Sequence, residues 1–288
     1  MRSFIIKVKS ELFLIFVLLG GSLLFCISYP ASRQRALVIT VYDGDTLKVK
    51  FSDGRSEIVR LIGVDAPELN DIREGVLFWA MISKRFTFTF LYRKEVWLEY
   101  DREPRDRHGR LLAYVFIGGS LFNEIMIRRG YAHAFLKYRF RMDYRLRFAA
   151  AEQESRDARR GLWGLWRDTS TPPASPAEAK RHVGETMQVR FVCGRVEKLG
   201  TLVFLRARDA DFAALIERRD LDRFPPLRKL VGRTITVLGL VEEYRGHPQM
   251  FLFLPLQLQH SSPWEIPLAK TFQENLQRKI MILKRPAF

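Results

Sequence analysis

The sequence predicts a mainly β protein with helices (α+β), in which a five-stranded barrel is followed by a second, smaller β-barrel. Three observations carry this reading. Short apolar runs with period-two alternation recur over residues 36–116 and again over 187–254; a Pro/Ser/Thr-rich stretch, 169–182, separates the two sets; and helical periodicity is confined to a few segments. Composition agrees, with 47% hydrophobic and 28% charged residues in a chain of 288, which is globular rather than disordered. Two cysteines, Cys26 and Cys193, exclude a disulfide framework, and neither has zinc-ligand spacing.

At the N-terminus, Arg2, Lys7 and Lys9 precede an uncharged stretch from Leu12 to Ser32 whose apolar part is Leu12 to Ile27. This is the pattern of a secretory signal, with Cys26 and Ser28 as small residues ahead of a cleavage point and an apolar part short for a membrane span. The whole uncharged run reaches bilayer length, so an uncleaved anchor is the alternative. Residues 1–32 are expected to place the rest of the chain outside the cytoplasm, secreted, periplasmic or tethered to a membrane.

In the first domain, 36–168, strands are expected at 36–42, 47–51 and 57–62. Leu47, Val49 and Phe51 alternate with lysines, and Ser52-Asp53-Gly54-Arg55 turns this strand into the next. Glu95–Glu99 and Leu111–Phe116 complete the five, the last closed by Gly118-Gly119. Helices are expected at about 76–86, where Phe78, Trp79, Ile82 and Phe86 share one side, at 121–129, and at 144–160 with Asp143 as cap and Gly161 just past the end. The Pro/Ser-rich stretch 169–182 reads as a semi-rigid linker. The second domain, 183–260, alternates at Met187/Val189/Phe191, Leu202–Leu205, Thr234–Val241 and Met250–Leu254, with a helical segment, Phe212–Phe224, between the second and third. Strands around one helix fit an OB-type barrel. In the tail, 261–288, Phe272, Leu276, Ile280 and Leu283 line up as a short amphipathic helix suited to docking back onto a domain.

Charge points to the partner. With 48 Lys+Arg against 32 Asp+Glu the net charge is +16, which favours an anionic partner, nucleic acid or an anionic membrane surface. The densest basic run, Arg128, Arg129, Lys137, Arg139, Arg141, Arg145 and Arg147 against Asp143, reads either as a track for a phosphate backbone or as a solvated face.

Three polar clusters stand in apolar strand contexts: Tyr42-Asp43-Gly44-Asp45-Thr46; Arg60-Leu61-Ile62-Gly63-Val64-Asp65-Ala66-Pro67-Glu68; and Asp106-Arg107-His108-Gly109-Arg110-Leu111-Leu112-Ala113-Tyr114. Singly each is ordinary turn chemistry. Together they supply what phosphodiester cleavage needs: two carboxylates for a hard cation, a third as base, and two guanidinium groups. Calcium accepts oxygen ligands in loose geometry, a positioned carboxylate activates water, and arginine bridges two phosphate oxygens as lysine does not.

These motifs, in this order and at this spacing over about residues 36–166, resemble the staphylococcal-type thermonuclease family. The resemblance implies a five-stranded OB-type barrel of the thermonuclease kind and a calcium-dependent nuclease. It matches Asp45 and Asp65 to the family's calcium carboxylates, and Ala66 to a threonine that ligates through its backbone carbonyl. It matches Arg60 and Arg110 to the catalytic arginines, Glu68 to the general base, and Asp43 to a supporting carboxylate. His108 stands where the family often has a tyrosine beside the substrate phosphate. The implied reaction is in-line attack of water on phosphorus with loss of the 5′-oxygen, leaving 3′-phosphates, on DNA or RNA. The competing reading, a catalytically silent nucleic-acid-binding or interaction module, would be expected to have lost one of the five groups Asp45, Arg60, Asp65, Glu68 and Arg110, and all five are present. The second domain resembles OB-fold nucleic-acid-binding domains, through Leu240 to Met250. Of its aromatic residues, Phe191, Phe204, Tyr244, Phe251 and Phe253, alternation turns most toward a core; Tyr244 and Arg245, in a turn, are its candidates for substrate contact. The five histidines show no metal-ligand spacing.

Overall fold

Alternation of apolar and polar residues builds two closed barrels, and the helices cover what the first leaves exposed. The computed structural model describes residues 33–71, 73–164 and 172–260; the expected export segment and the expected tail helix lie outside the described residues. In chain order the first part comprises β1 (Gln34–Val41), β2 (Thr46–Phe51), β3 (Ser56–Leu61), β4 (Val64–Asp65), α1 (Glu74–Leu91), β5 (Glu95–Arg105), β6 (Leu111–Ile117), β7 (Ser120–Leu121), α2 (Phe122–Arg128), β8 (His133–Ala134) and α3 (Met142–Asp157). The second comprises α4 (Pro176–Ala179), β9 (Thr186–Leu199), β10 (Leu202–Ala207), β11 (Ala213–Glu217), β12 (Thr234–Tyr244), β13 (His247–Phe251) and β14 (Leu258–His260).

In the first barrel β1 pairs antiparallel with β2 and β5, β2 with β3, and β5 with β6. A parallel pair, Val59 with Leu111 through Leu61 with Ala113, closes the ring. Val38, Leu47, Val49, Val59, Val96, Leu98 and Ala113 are buried inside it. The second barrel repeats this connectivity, with β9 between β10 and β12, and β11 closing in parallel on β13. The expectation of two OB-type barrels is met.

Three local expectations are corrected. Phe212–Phe224 is not one helix: Ala213–Glu217 is β11, and only Arg218–Arg223 is helical, as a short 3-10 helix. The run from Ala213 to Ile216 is buried at every position, with Ala214 and Ile216 in the barrel core and Ala213 and Leu215 packed with Phe251 in a separate apolar cluster, so no helical stripe exists. Helix α1 runs past 86 to Leu91, because the buried Leu91 extends its apolar side and Thr87, whose hydroxyl donates to Gly44 O at 2.6 Å, satisfies its polar group in place. In α3, Asp143 lies in the first turn rather than at the cap, and Arg159, with φ 50°, takes the left-handed position after the helix. Gly161 serves another purpose. A Cβ on it would stand 2.1 Å from Gly130 O, and one on Gly130 would stand 2.2 Å from Arg160 O, so two glycines allow the chain after α3 to cross the chain after α2.

The barrels share an interface. Leu238, Leu240 and Leu254 join the first core. Arg85 of α1 makes a two-point ion pair with Glu242 of β12, Nη2 to Oε2 at 2.7 Å, and lies 3.7 Å from the Phe251 ring centroid. The Tyr131 hydroxyl donates to Gly184 O at 2.9 Å. Residues 172–182 pack on the second barrel, where Ala174 bridges Val189 and Ser175 caps α4 in a reciprocal box with Glu178. The dense basic run is largely spent on structure: Arg128 and Arg147 share the buried Glu124, Arg141 holds the buried Glu99 and Asp143, and Arg129 reaches Glu185. Among the described residues no helix is long and apolar enough to cross a membrane.

Candidate active site

The first polar cluster is a turn that aims one carboxylate inward. Asp43 Oδ1 accepts from the backbone N–H of Asp45 at 3.0 Å and of Thr46 at 2.6 Å, which folds the chain into β2. Asp45 is thereby buried, at 1% exposure. Its Oδ2 accepts from Ala66 N at 2.7 Å, and its Oδ1 accepts from the Thr46 hydroxyl and from Arg60 Nη1. The β2–β3 register sets Thr46 opposite Arg60, which brings the guanidinium to Asp45. Arg60 Nη2 also donates to Asp65 Oδ1 and to Val64 O, each at 3.2 Å. One guanidinium therefore gathers both carboxylates. Burial pushes the Asp45 carboxyl up to about 7, against the pull of Arg60.

The remaining groups surround this cluster. β4 pairs with β8 so that Asp65 faces His133. Beyond Asp65, Pro67 ends the strand and Glu68 stands exposed. Asp65 and Glu68 line one groove of about 380 Å3, whose other walls come from the start of α1, from β8 and from Leu162. On the opposite flank the parallel β3–β6 register sets Arg60 against Leu112, so Arg110, two residues earlier, shares the outer face with Arg60. Arg110 Nε donates to Asp106 Oδ2 at 2.7 Å, while Asp106 Oδ1 accepts from the backbone N–H of His108 and Arg110. Partial burial works against Asp106, yet these hydrogen bonds hold its carboxyl below the usual range. His108 is exposed, its Nε2 facing Arg107 Nε at 3.1 Å.

Asp45, Arg60, Asp65 and Ala66 thus converge, Glu68 lines one groove with Asp65 and Ala66, and Arg110 and His108 lie outside that lining. Tyr244 and Arg245 form the exposed β12–β13 hairpin of the second barrel, where Arg245 and Gly246 both have positive φ. Of the second barrel's other aromatic residues, Phe191 and Phe251 are buried and cannot stack on bases. Asp106 opens the third polar cluster but has no role assigned by the sequence, although its i,i+4 spacing from Arg110 is the signal for a partner that holds it. His133 and Trp79 carry no local signal, since only the β4–β8 pairing and the packing of α1 bring them to the groove.

The donor set fits a hard divalent cation. Asp45 and Asp65 offer carboxylate oxygens and Ala66 a carbonyl, all hard ligands. A buried carboxylate balanced by a single guanidinium has room for further positive charge. Among the described residues no group of three or more His, Cys, Asp or Glu side chains is placed to hold a metal, so backbone and water would complete such a shell.

Comparison with known proteins sets this arrangement among nucleases. A family model described as Staphylococcal nuclease homologue matches residues 58–165. A protein named Thermonuclease from Staphylococcus hyicus is 37% identical over 133 residues, 46% of this chain and 78% of that protein. Its namesake from Staphylococcus intermedius is 39% identical over 127 residues, 44% of this chain and 74% of that protein. A Bacillus subtilis protein named Endonuclease YncB is 30% identical over 140 residues, covering 46% and 66%.

Proposed function

From a chain that belongs to the staphylococcal nuclease family and is a phosphodiester-hydrolysing nuclease acting on nucleic acid, we propose a calcium-dependent enzyme that works outside the cytoplasm on DNA, RNA or both, cutting internally and leaving 3′-phosphates. The observation that carries the reading is the convergence of Asp45 and Asp65 on Arg60, with Asp65 and Glu68 lining one groove.

Asp45, Asp65 and the Ala66 carbonyl would hold the calcium ion. When bound, the ion supplies charge neutralisation and Lewis acidity at the phosphodiester. Every other role belongs to this chain's own side chains. Glu68, exposed and free of the Arg60 network, accepts a proton from the water that attacks phosphorus. Arg60 and Arg110, on the same outer face, each hold phosphate oxygens through two N–H groups as charge builds on the five-coordinate phosphorus. The bond to the 5′-oxygen breaks and the phosphate stays on the 3′-oxygen. Asp106 keeps the Arg110 fork oriented. His108, Tyr244 and Arg245 extend substrate contact beyond the reacting phosphate. The basic N-terminus followed by an apolar stretch supports export.

The test is incubation of the purified 33–288 chain with single- and double-stranded DNA and RNA, with calcium or with chelator. Cleavage with calcium and none with chelator, with 3′-phosphate ends, is expected. Full activity in chelator would remove the metal assignment, and 5′-phosphate products would reverse the assigned leaving group.

A further inference from the structure

The groove beside Glu68 takes none of its lining from Arg110 or His108. Pro67, Val76, Trp79 and Leu162 give it an apolar floor, and Asp65, Glu68, Asp71, Arg73 and His133 supply its charged and polar lining. At about 380 Å3 it falls toward the lower end of the range for small-ligand sites, about 300–1,000 Å3, which suits one nucleotide rather than a longer segment.

Its far wall is built rather than incidental. The crossing of Gly130 and Gly161 fixes Leu162, whose N–H donates to Gly130 O at 2.8 Å. The His133 ring stands edge-on to Trp163, centroids 4.8 Å apart at 86°, and its Nδ1 lies 3.5 Å from Glu152 Oε1. Trp163 is held in turn by the Arg156 guanidinium, 3.8 Å over its ring. His133 is thus fixed on one edge and exposed on the other. The β4–β8 pairing sets it directly across from Asp65.

We propose that this groove is the subsite for the nucleotide adjoining the scissile phosphate on the side away from His108, with its base on the Val76/Trp79/Leu162 floor and its sugar-phosphate passing His133. The inference rests on the catalytic reading above. A polynucleotide whose reacting phosphate sits at Arg60 must continue in both directions, and the groove is continuous with Asp65 and Glu68 in one of them. The apolar floor accepts the face of any base, and the charged groups around it, Asp65, Glu68, His133 and the Asp71–Arg73 pair, face the sugar-phosphate rather than a base edge, which confers affinity without sequence preference.

The test is a cycle between protein and substrate. The probe is a short single-stranded DNA with one phosphodiester among methylphosphonate linkages, prepared with both flanking bases, without the 5′-side base, or without the 3′-side base. The wild-type 33–288 chain, His133→Ala and Val76→Asp are compared by kcat/KM with calcium. Val76→Asp sets a carboxylate on the groove floor in the first turn of α1, where helices tolerate acidic residues. For the wild type, removal of the groove-side base is expected to cost about 5-fold to 100-fold, the worth of one base contact. In both variants that penalty should shrink to about 2-fold or less, while the penalty for the base on the other side is unchanged. Folded fraction cancels in each ratio, so partial unfolding cannot mimic the result. Penalties in both variants equal to wild type on both sides would overturn the subsite, as would a wild type indifferent to either base. No cleavage of any probe with calcium would instead overturn the catalytic reading, and the subsite with it.

Discussion

Replacing Glu242 by Gln tests whether the barrels are joined by a buried charge pair. Glu242 is 3% exposed and Arg85 20%, and the two meet at two points with the guanidinium also over Phe251. Gln keeps the shape but leaves a largely buried guanidinium without its counter-charge. Breaking a buried pair costs about 3–5 kcal/mol. The residual exposure of Arg85 and its contact with Phe251 set the expectation at the lower end, about 3 kcal/mol. At about 2–4 °C per kcal/mol for a chain of this size, the melting temperature should fall by about 6–12 °C. The double variant Arg85→Met/Glu242→Leu removes both charges and should recover most of that loss, because the apolar replacement carries no desolvation penalty. Thermal unfolding followed by circular dichroism is the assay, with cleavage measured well below the transition, where Glu242→Gln should match wild type. A melting temperature for Glu242→Gln within a degree of wild type would refute the reasoning and mark the pair as energetically equivalent to a surface contact.

Three further predictions concern the site. Glu68→Gln should bind calcium and melt as wild type while turnover drops by about 10²–10⁴, the worth of a positioned base; an undiminished rate in a well-folded variant would remove Glu68 from the chemistry. Arg60→Lys keeps the charge but loses the fork that spans Asp45, Asp65 and phosphate, so cleavage should fall at least about tenfold and melting temperature should also fall, whereas Arg110→Lys, tied only to the local Asp106 turn, should lose rate with a smaller change in melting. Asp45→Asn should raise the calcium concentration needed for half-maximal cleavage, read by titration; an unshifted titration would exclude Asp45 as a ligand.

Much of this was legible in the chain because the relevant signals are local. The alternation of Leu47, Val49 and Phe51, the Ser52–Arg55 turn and the Asp43–Thr46 motif each act over a few residues, and hairpin β2–β3 alone brings Asp45 to Arg60. Ala213 to Ile216 misled because burial on both faces erases the period that separates strand from helix. The reach of α1 to Leu91 was hidden by Thr87 and Thr89, poor helix formers that tertiary packing overrides. The basic run from Arg128 to Arg147 reads as a phosphate track or a solvated face because Glu99 and Glu185 lie far off in sequence, while Glu124, four residues before Arg128, stands just outside the run. The groove was invisible for the same reason, since Pro67, Trp79, His133 and Leu162 meet only after β4 pairs with β8 and the two glycines cross.

The parallel pair that closes the first barrel has a kinetic consequence. Val59 and Leu111 are distant in sequence, so the entropy of bringing them together is met only after the local hairpins have formed. Arg60 lies on one side of that seam and Arg110 just before the strand on the other, so the two guanidinium groups come onto one face only as the seam is sewn. In refolding, secondary structure should therefore return before catalysis does, and the onset of cleavage should time the moment of ring closure.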